Sequence, residues 1–184
     1  MLAIRNLLES YCSQTTVDVL MTHGTMVAGK ALEICGQLQV DAETRKLVLE
    51  SSYLHDIGVC RTAAPDIGCN GSEPYIRHGV LGREILEAEG LPLHALICER
   101  HTGVGLTVQD IDRQHLPLPR RDMTPHSLAE RIICFSDLFY SKNPSRLEQE
   151  KSVATIRDGL AAFGDDKVAV FDGWLREFQH NPVL

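Results

Sequence analysis

Six side chains able to hold a metal ion stand at His23, His55, Asp56, His78, His101 and Asp137, at intervals of 32, 1, 22, 23 and 36 residues. Imidazole nitrogens and carboxylate oxygens, with no thiolate among them, suit Fe, Mn, Zn, Ni or Mg rather than a structural zinc held by cysteines. The adjacent pair His55-Asp56 is the sharpest local feature. Neighbours on an α-helix diverge by about 100°, so both can face one centre only where the helix relaxes. Gly58, two residues on, places the pair at such an end. A carboxylate has two oxygens, so Asp56 can bridge two ions. Arg61, Arg77 and Arg100 are candidates for holding a substrate anion and stabilising charge in a transition state. Thr102 and Gly103 are candidates for carrying the backbone close to the metals.

The elements that must position these groups read as helices separated by short breakers, with no period-2 strand. The patterning predicts helices over about 2–11 and from Thr16 to Leu38, and a third capped by Asp41 and ended by Gly58. A fourth is expected over 75–89, stopping at Gly90, and a fifth from Pro92 to Arg100. A sixth covers Ser127 to Ser141, and two more, near 146–163 and 165–179, close the chain. The stretches Gly58 to Pro74 and 102–125, rich in Gly, Pro and Asp, read as long loops of the kind that cover active sites. The six ligand candidates fall on or at the ends of five different helices. A bundle that points one side chain inward from each of several helices builds a metal site in its core.

The chain's 184 residues, 43% hydrophobic and 23% charged, are enough for one well-buried domain. The expected architecture is all-α and single-domain over 1–184, with a core of about 16–142 and C-terminal helices over about 146–179 packed on it. A net charge of −7 argues against a surface that tracks nucleic acid, which needs clustered Lys and Arg. It leaves room for a small anionic substrate held by a local cationic centre, and is compatible with a homodimer. No stretch approaches the ~18 apolar residues of a membrane span. The first residues, broken by Arg5, Asn6 and Glu9, do not read as a signal peptide. Cys12, Cys35, Cys60, Cys69, Cys98 and Cys134 form no C-x-x-C pair, which fits a reduced cytoplasmic protein. Cys35, Cys98 and Cys134 read as small buried hydrophobes; Cys60 and Cys69 flank one loop and could in principle pair, against the expectation of a reduced protein.

The string HDIG at 55–58 resembles the signature of the HD-domain phosphohydrolase superfamily. The resemblance extends over about 20–142 through the ordered set H…HD…H…H…D, with Asp137 inside CFSDLF on an apolar helix. It implies an all-α HD-domain bundle with the metal site in its core. It also implies that His23, His55, Asp56 and Asp137 hold one metal and His78 and His101 a second, with Asp56 bridging and catalytic. Two divalent transition-metal ions are then expected, Fe or Mn first, with Zn, Ni or Mg as alternatives. The implied activity is hydrolysis of a small phosphorylated metabolite or nucleotide by a metal-activated water. ERHTGVGLT and LAERIICFSDL look most like small HDIG proteins of archaea and bacteria whose substrates are poorly defined. Many relatives carry Lys directly after the signature, where it can bind a phosphate oxygen. This chain has Val59, Cys60 and then Arg61, which makes Arg61 the expected substitute.

Two other functions share these residues. A di-iron HD oxygenase cleaving a C–C or C–P bond with O2 uses a similar ligand set, because the surroundings of the metals decide the chemistry. A non-catalytic HD signalling module is the third reading, against which the six retained ligands speak. Other candidates read as structural. His94, on the face of His101, is expected beside the site rather than in it. His115, His126 and the Arg120-Arg121 pair are expected in solvent, His180 in a tail, and Tyr53 and Tyr75 in packing. The G-x-G of HTGVGLT has no strand before it and is not a dinucleotide loop.

Overall fold

The structure is a computed structural model that describes residues 3–179; His180 lies outside the described residues. Helices α1 (Ile4–Tyr11), α2 (Gln14–Gln37) and α3 (Ala42–Leu54) are followed by a 3-10 turn, Ile57–Arg61. After a short irregular segment come α4 (His78–Ala88), α5 (Pro92–Arg100), α6 (Val108–Gln114), α7 (Leu128–Leu138), α8 (Val153–Ala161) and α9 (Asp165–Gln179). The fold is all-helical apart from a two-residue antiparallel ladder, β1 (Ala63–Ala64) against β2 (Cys69–Asn70). No described helix is long and apolar enough to cross a membrane.

Helices α2, α3, α6, α7 and α8 begin where a side chain takes up an orphan backbone N–H, whereas α1, α4 and α5 have no such cap. Ser13 caps α2 through Thr16 N, and Asp41 caps α3 through Thr44 N. Thr107 with Asp110 and Ser127 with Glu130 form capping boxes at α6 and α7.

Two hydrophobic clusters lie on either side of the predicted ligands. One gathers Val27, Ala31 and Ile34 of α2 with Ile132, Ile133 and Phe135 of α7 and Phe171, Trp174 and Phe178 of α9. The other gathers Leu8 of α1, Val17 and Leu20 of α2, Ile57 and Val59 of the 3-10 turn, and Ile85 and Leu86 of α4.

The structure departs from the sequence pattern in three places. The helix expected to run to Gly58 stops at Leu54 with His55 as its C-cap, and the chain tightens into the 3-10 turn. The stretch 102–125 is not all loop, because its capping box starts the seven-residue α6. The helix expected over 146–163 is only α8, which starts after the Ser152 cap. Residues before it include a 3-10 turn at Pro144–Arg146, and Lys151 Nζ donates to the carbonyls of Leu138 (3.1 Å) and Tyr140 (2.9 Å) instead of reaching solvent. All six cysteines are free, so Cys60 and Cys69 are not bridged. Cys35, Cys98 and Cys134 are buried.

Candidate metal centre

The ligand candidates are brought together by close helix crossings, each with a glycine beside a ligand. Gly24 follows His23 on α2, and a Cβ there would lie 2.6 Å from Tyr53 Cδ1 and 2.9 Å from Tyr53 Cα, so α2 presses directly on α3 at this point. Gly58 sits under α4: its Cβ would fall 2.0 Å from the His78 carbonyl and 2.3 Å from Gly82 N. Gly79 follows His78, and its Cβ would lie 2.9 Å from the Cys98 carbonyl of α5.

All six predicted ligands converge. Donor atoms of His23, His55, Asp56 and Asp137 lie within 4.8 Å of one another, and so do those of Asp56, His78 and His101. The four histidines and Asp56 are buried, and the Asp137 side chain is 16% exposed, which leaves the centre one open side. Asp56 belongs to both groups through different oxygens. Its Oδ2 is 3.0 Å from His55 Nε2 and 3.4 Å from His23 Nε2. Its Oδ1 is 3.3 Å from His101 Nε2 and 3.5 Å from His78 Nε2. Asp137 Oδ1 faces the first group, 2.9 Å from His23 Nε2 and 3.4 Å from His55 Nε2.

Three of the four rings are fixed by one device. His55 Nδ1 donates to the Ser52 carbonyl (3.0 Å), His78 Nδ1 to Tyr75 (2.8 Å) and His101 Nδ1 to Cys98 (2.7 Å), each three residues back. His55 and His101 cap the C-termini of α3 and α5, and His78 follows a 3-10 turn. The Ser52 and Cys98 carbonyls lie in last turns, where helical partners run out, and the Tyr75 carbonyl, which also accepts the His78 backbone N–H, has a second lone pair for the imidazole. Because a carbonyl only accepts, the Nδ1 proton is fixed and Nε2 is left with a lone pair aimed at the centre. His23, in the middle of α2, has no such carbonyl, and its Nδ1 is buried without a partner.

This arrangement fits divalent metal. The Nε2 atoms of His78 and His101 are 3.0 Å apart with both Nδ1 protons engaged, so two lone pairs face each other and call for a cation. Neither oxygen of Asp56 accepts a hydrogen bond of ordinary geometry, although both are buried. Burial opposes the charge of Asp56, yet His55 and Lys142 hold its carboxyl well below the usual carboxylate range. Asp137 is held down in the same way, against burial, by Lys142, His23 and His55. Burial and the neighbouring His101 push His78 down to about 3, so it stays a neutral donor. At His55 burial is outweighed by Asp56 and Asp137, and the ring is pushed up to about 10, so without a metal its Nε2 holds a proton that a bound ion would displace.

Beside the ligands lies an open cavity of about 740 Å³, lined among others by Tyr75, His78, His101, Thr102, Gly103, Asp137 and Lys142. Thr102 and Gly103 are thus at the site. The three arginines are not among the lining residues, because each is engaged elsewhere. Arg61 pairs with Glu84 at 3.1 Å, Arg77 with Glu73 at 3.1 Å, and Arg100 with Glu130 at 3.0 Å. The cation that does reach the ligands is Lys142, whose Nζ is 2.7 Å from Asp56 Oδ2. Searching next to the HDIG string misses it. The available signal was its place five residues after Asp137, just past the end of α7. Tyr75, expected in packing, is 39% exposed with its ring centroid 4.9 Å from that of His78. His94 lies outside both groups and is bound to Glu50 at 3.1 Å. His115 and His126 are exposed, as are Arg120 and Arg121, although these two pair with Asp112 and Glu99.

Known proteins share parts of this sequence and its fold. An uncharacterised protein of Methanocaldococcus jannaschii is 34% identical over 134 residues, which cover 72% of this chain and 70% of that protein. A tRNA (cytidine(56)-2'-O)-methyltransferase of Picrophilus torridus is 30% identical over 126 residues, 68% of this chain but only 32% of that enzyme. Among solved structures, the HD domain of the L. monocytogenes phosphodiesterase PgpH, in complex with cyclic-di-AMP, has a similar fold. The TM-score is 0.52 at 17% identity, over 98% of this chain and 99% of the other. The family model for the HD domain matches residues 20–140, which span every ligand from His23 to Asp137. The chain belongs to the HD-domain family.

Proposed function

We propose that the chain is a metal-dependent phosphohydrolase acting on a small phosphorylated metabolite or nucleotide, with two divalent transition-metal ions held by the six ligands. The observation that carries this reading is the division of Asp56, one oxygen turned to His23 and His55 and the other to His78 and His101. Such a carboxylate is placed to join two ions. An all-nitrogen and oxygen donor set favours Fe or Mn, with Zn, Ni or Mg as alternatives. When bound, the metals supply Lewis acidity and a water acidified towards neutrality.

The chain's own residues supply the rest. Two ions carry about four positive charges, and Asp56 and Asp137 return two negative ones, which leaves an excess that draws phosphate even to a chain of net charge −7. The carbonyl-locked imidazoles need no reorientation. The cavity of about 740 Å³ lies within the ~300–1,000 Å³ usual for small-molecule sites, so a mononucleotide-sized ligand fits. Thr102 and Gly103 on its rim are placed to touch that ligand. Arg61, Arg77 and Arg100 carry no role in this reading, since each is paired outside the cavity. The chain is taken as a single HD unit, with α8 and α9 docked on the ligand-bearing core.

Metal analysis of anaerobically purified protein, coupled to a panel of phosphomonoesters, phosphodiesters and nucleotides, tests the reading. Close to two transition-metal ions per chain and phosphate release from at least one class are expected. Oxygen consumption by iron-loaded protein without phosphate release would replace hydrolysis by oxygenase chemistry. Absence of bound metal would leave a signalling module.

A further inference from the structure

We propose that Lys142 and Tyr75 form the subsite for a non-bridging phosphate oxygen, and that the substrate is therefore a phosphate monoester or a terminal phosphoryl group. This inference rests on the phosphohydrolase reading and names its substrate class.

A cationic side chain aimed at a phosphoryl group stabilises the charge it develops, beyond what the metals supply. Among the described residues, Lys142 is the only Lys or Arg that forms an ion pair with any of the six ligands. Its side chain is 17% exposed, so it reaches the carboxylates while staying open to the cavity. It also lies close enough to Tyr75 for its charge to act on that hydroxyl, and the Tyr75 ring is set against His78 with planes 32° apart. Both residues line the cavity, Tyr75 entering from the segment before α4 and Lys142 from the loop after α7. The two come from opposite ends of the ligand set and meet at its open side.

Lys142 cannot keep this contact once cations occupy the ligands. An ammonium 2.7 Å from Asp56 Oδ2 stands where it would be repelled by any ion using that oxygen. Its flexible four-carbon stem lets it move into the cavity beside Tyr75, where an anion is the partner that offsets its charge. The number of phosphate oxygens then decides the substrate class. Two metals clamp two oxygens of a phosphoryl group. A diester has only two non-bridging oxygens, so Lys142 and Tyr75 would have to share one with a metal. A monoester has a third.

The experiment uses metal-loaded protein with inorganic phosphate as the calorimetric probe, and p-nitrophenyl phosphate and bis(p-nitrophenyl) phosphate as paired substrates. Losing a charge-assisted hydrogen bond implies that Lys142→Met weakens phosphate binding by about ten- to a hundredfold, with metal content unchanged. Lys142→Arg should recover most of that loss, and Tyr75→Phe should show a smaller one. Where the monoester is turned over, its kcat/KM should fall in Lys142→Met while diester hydrolysis changes little. Lys142→Gln, which keeps a polar end in this half-open position, is the companion variant should the methionine disturb folding. Phosphate bound as tightly by both neutral variants as by wild type, at full metal content, overturns the proposal and leaves Lys142 as a stand-in for a metal. Loss of metal in both overturns it as well. If metal-loaded wild type hydrolyses no phosphate ester and yet binds phosphate in a Lys142-dependent way, the hydrolase reading fails and the subsite stands.

Discussion

Asp56 is the residue on which the two ligand groups depend, because each of its oxygens faces a different pair of histidines. Asp56→Ala should therefore remove most of the metal from both groups, as measured by elemental analysis of purified protein. His94→Ala should keep the metal. Its imidazole holds buried Glu50, so the cost is expected in stability, at roughly 1–3 kcal/mol in a urea titration. Metal loss in His94→Ala without loss of stability would place His94 in the centre instead. The ligand residues were legible in the sequence because imidazole and carboxylate are rarely placed in apolar helices without a purpose. The residues of the proposed anion subsite were not. Sequence distance from HDIG pointed to Arg61, but the 3-10 turn faces it outward to Glu84. Lys142, distant in sequence from the doublet, arrives through the chain reversal after α7. A cation's usefulness depends on where its stem starts, which only the packing decides.

At the scale of elements, the glycines at the crossings control how closely ligands approach. Gly58 carries the most severe constraint, since the atoms that a Cβ would strike are backbone and cannot rotate away. Gly58→Ala should destabilise the protein by roughly 3 kcal/mol or more, at the upper end of overpacking costs. It should also displace α4 and so deplete metal at the His78–His101 group before the His23–His55 group. Chemical denaturation and metal stoichiometry measured together check both; a variant of wild-type stability with two metals would refute the close contact. Most helices were legible from periodicity and caps. The exceptions have local causes. Seven-residue α6 is too short to show a period, although its Thr107–Asp110 box was present in the sequence. The segment before α8 carries helix-compatible residues, but Pro144 and the hydrogen bonds of Lys151 to the carbonyls of Leu138 and Tyr140 hold it in another course.

For the whole molecule, the last helix is tied to the loop region by a buried ion pair, Lys167 of α9 with Asp110 of α6. Burial works against the charge on Asp110, but Lys167 and Thr107 hold its carboxyl below the ordinary 3.8. A folded value below the unfolded one means that this stabilisation is present above about pH 4 and is lost as pH falls through the lower, folded value. The stability gap between wild type and Asp110→Asn should therefore be widest near neutrality and close in acid, read by urea titrations at several pH values. A gap independent of pH would show that the charge of Asp110 contributes nothing.

The 24-residue α2 has a wider consequence. Val17, Val19 and Leu20 from its first half belong to one hydrophobic cluster, and Val27, Ala31, Ile34 and Cys35 from its second half belong to the other. His23 stands at the join. Neither half of the protein can then melt while the other persists, because both would have to share a helix half-stripped of its packing. Calorimetry of the metal-free protein should give one endotherm whose measured and van't Hoff enthalpies agree. Metal binding at the join should slow amide exchange on both sides of it, so that an ion held by a few atoms sets the lifetime of the entire bundle.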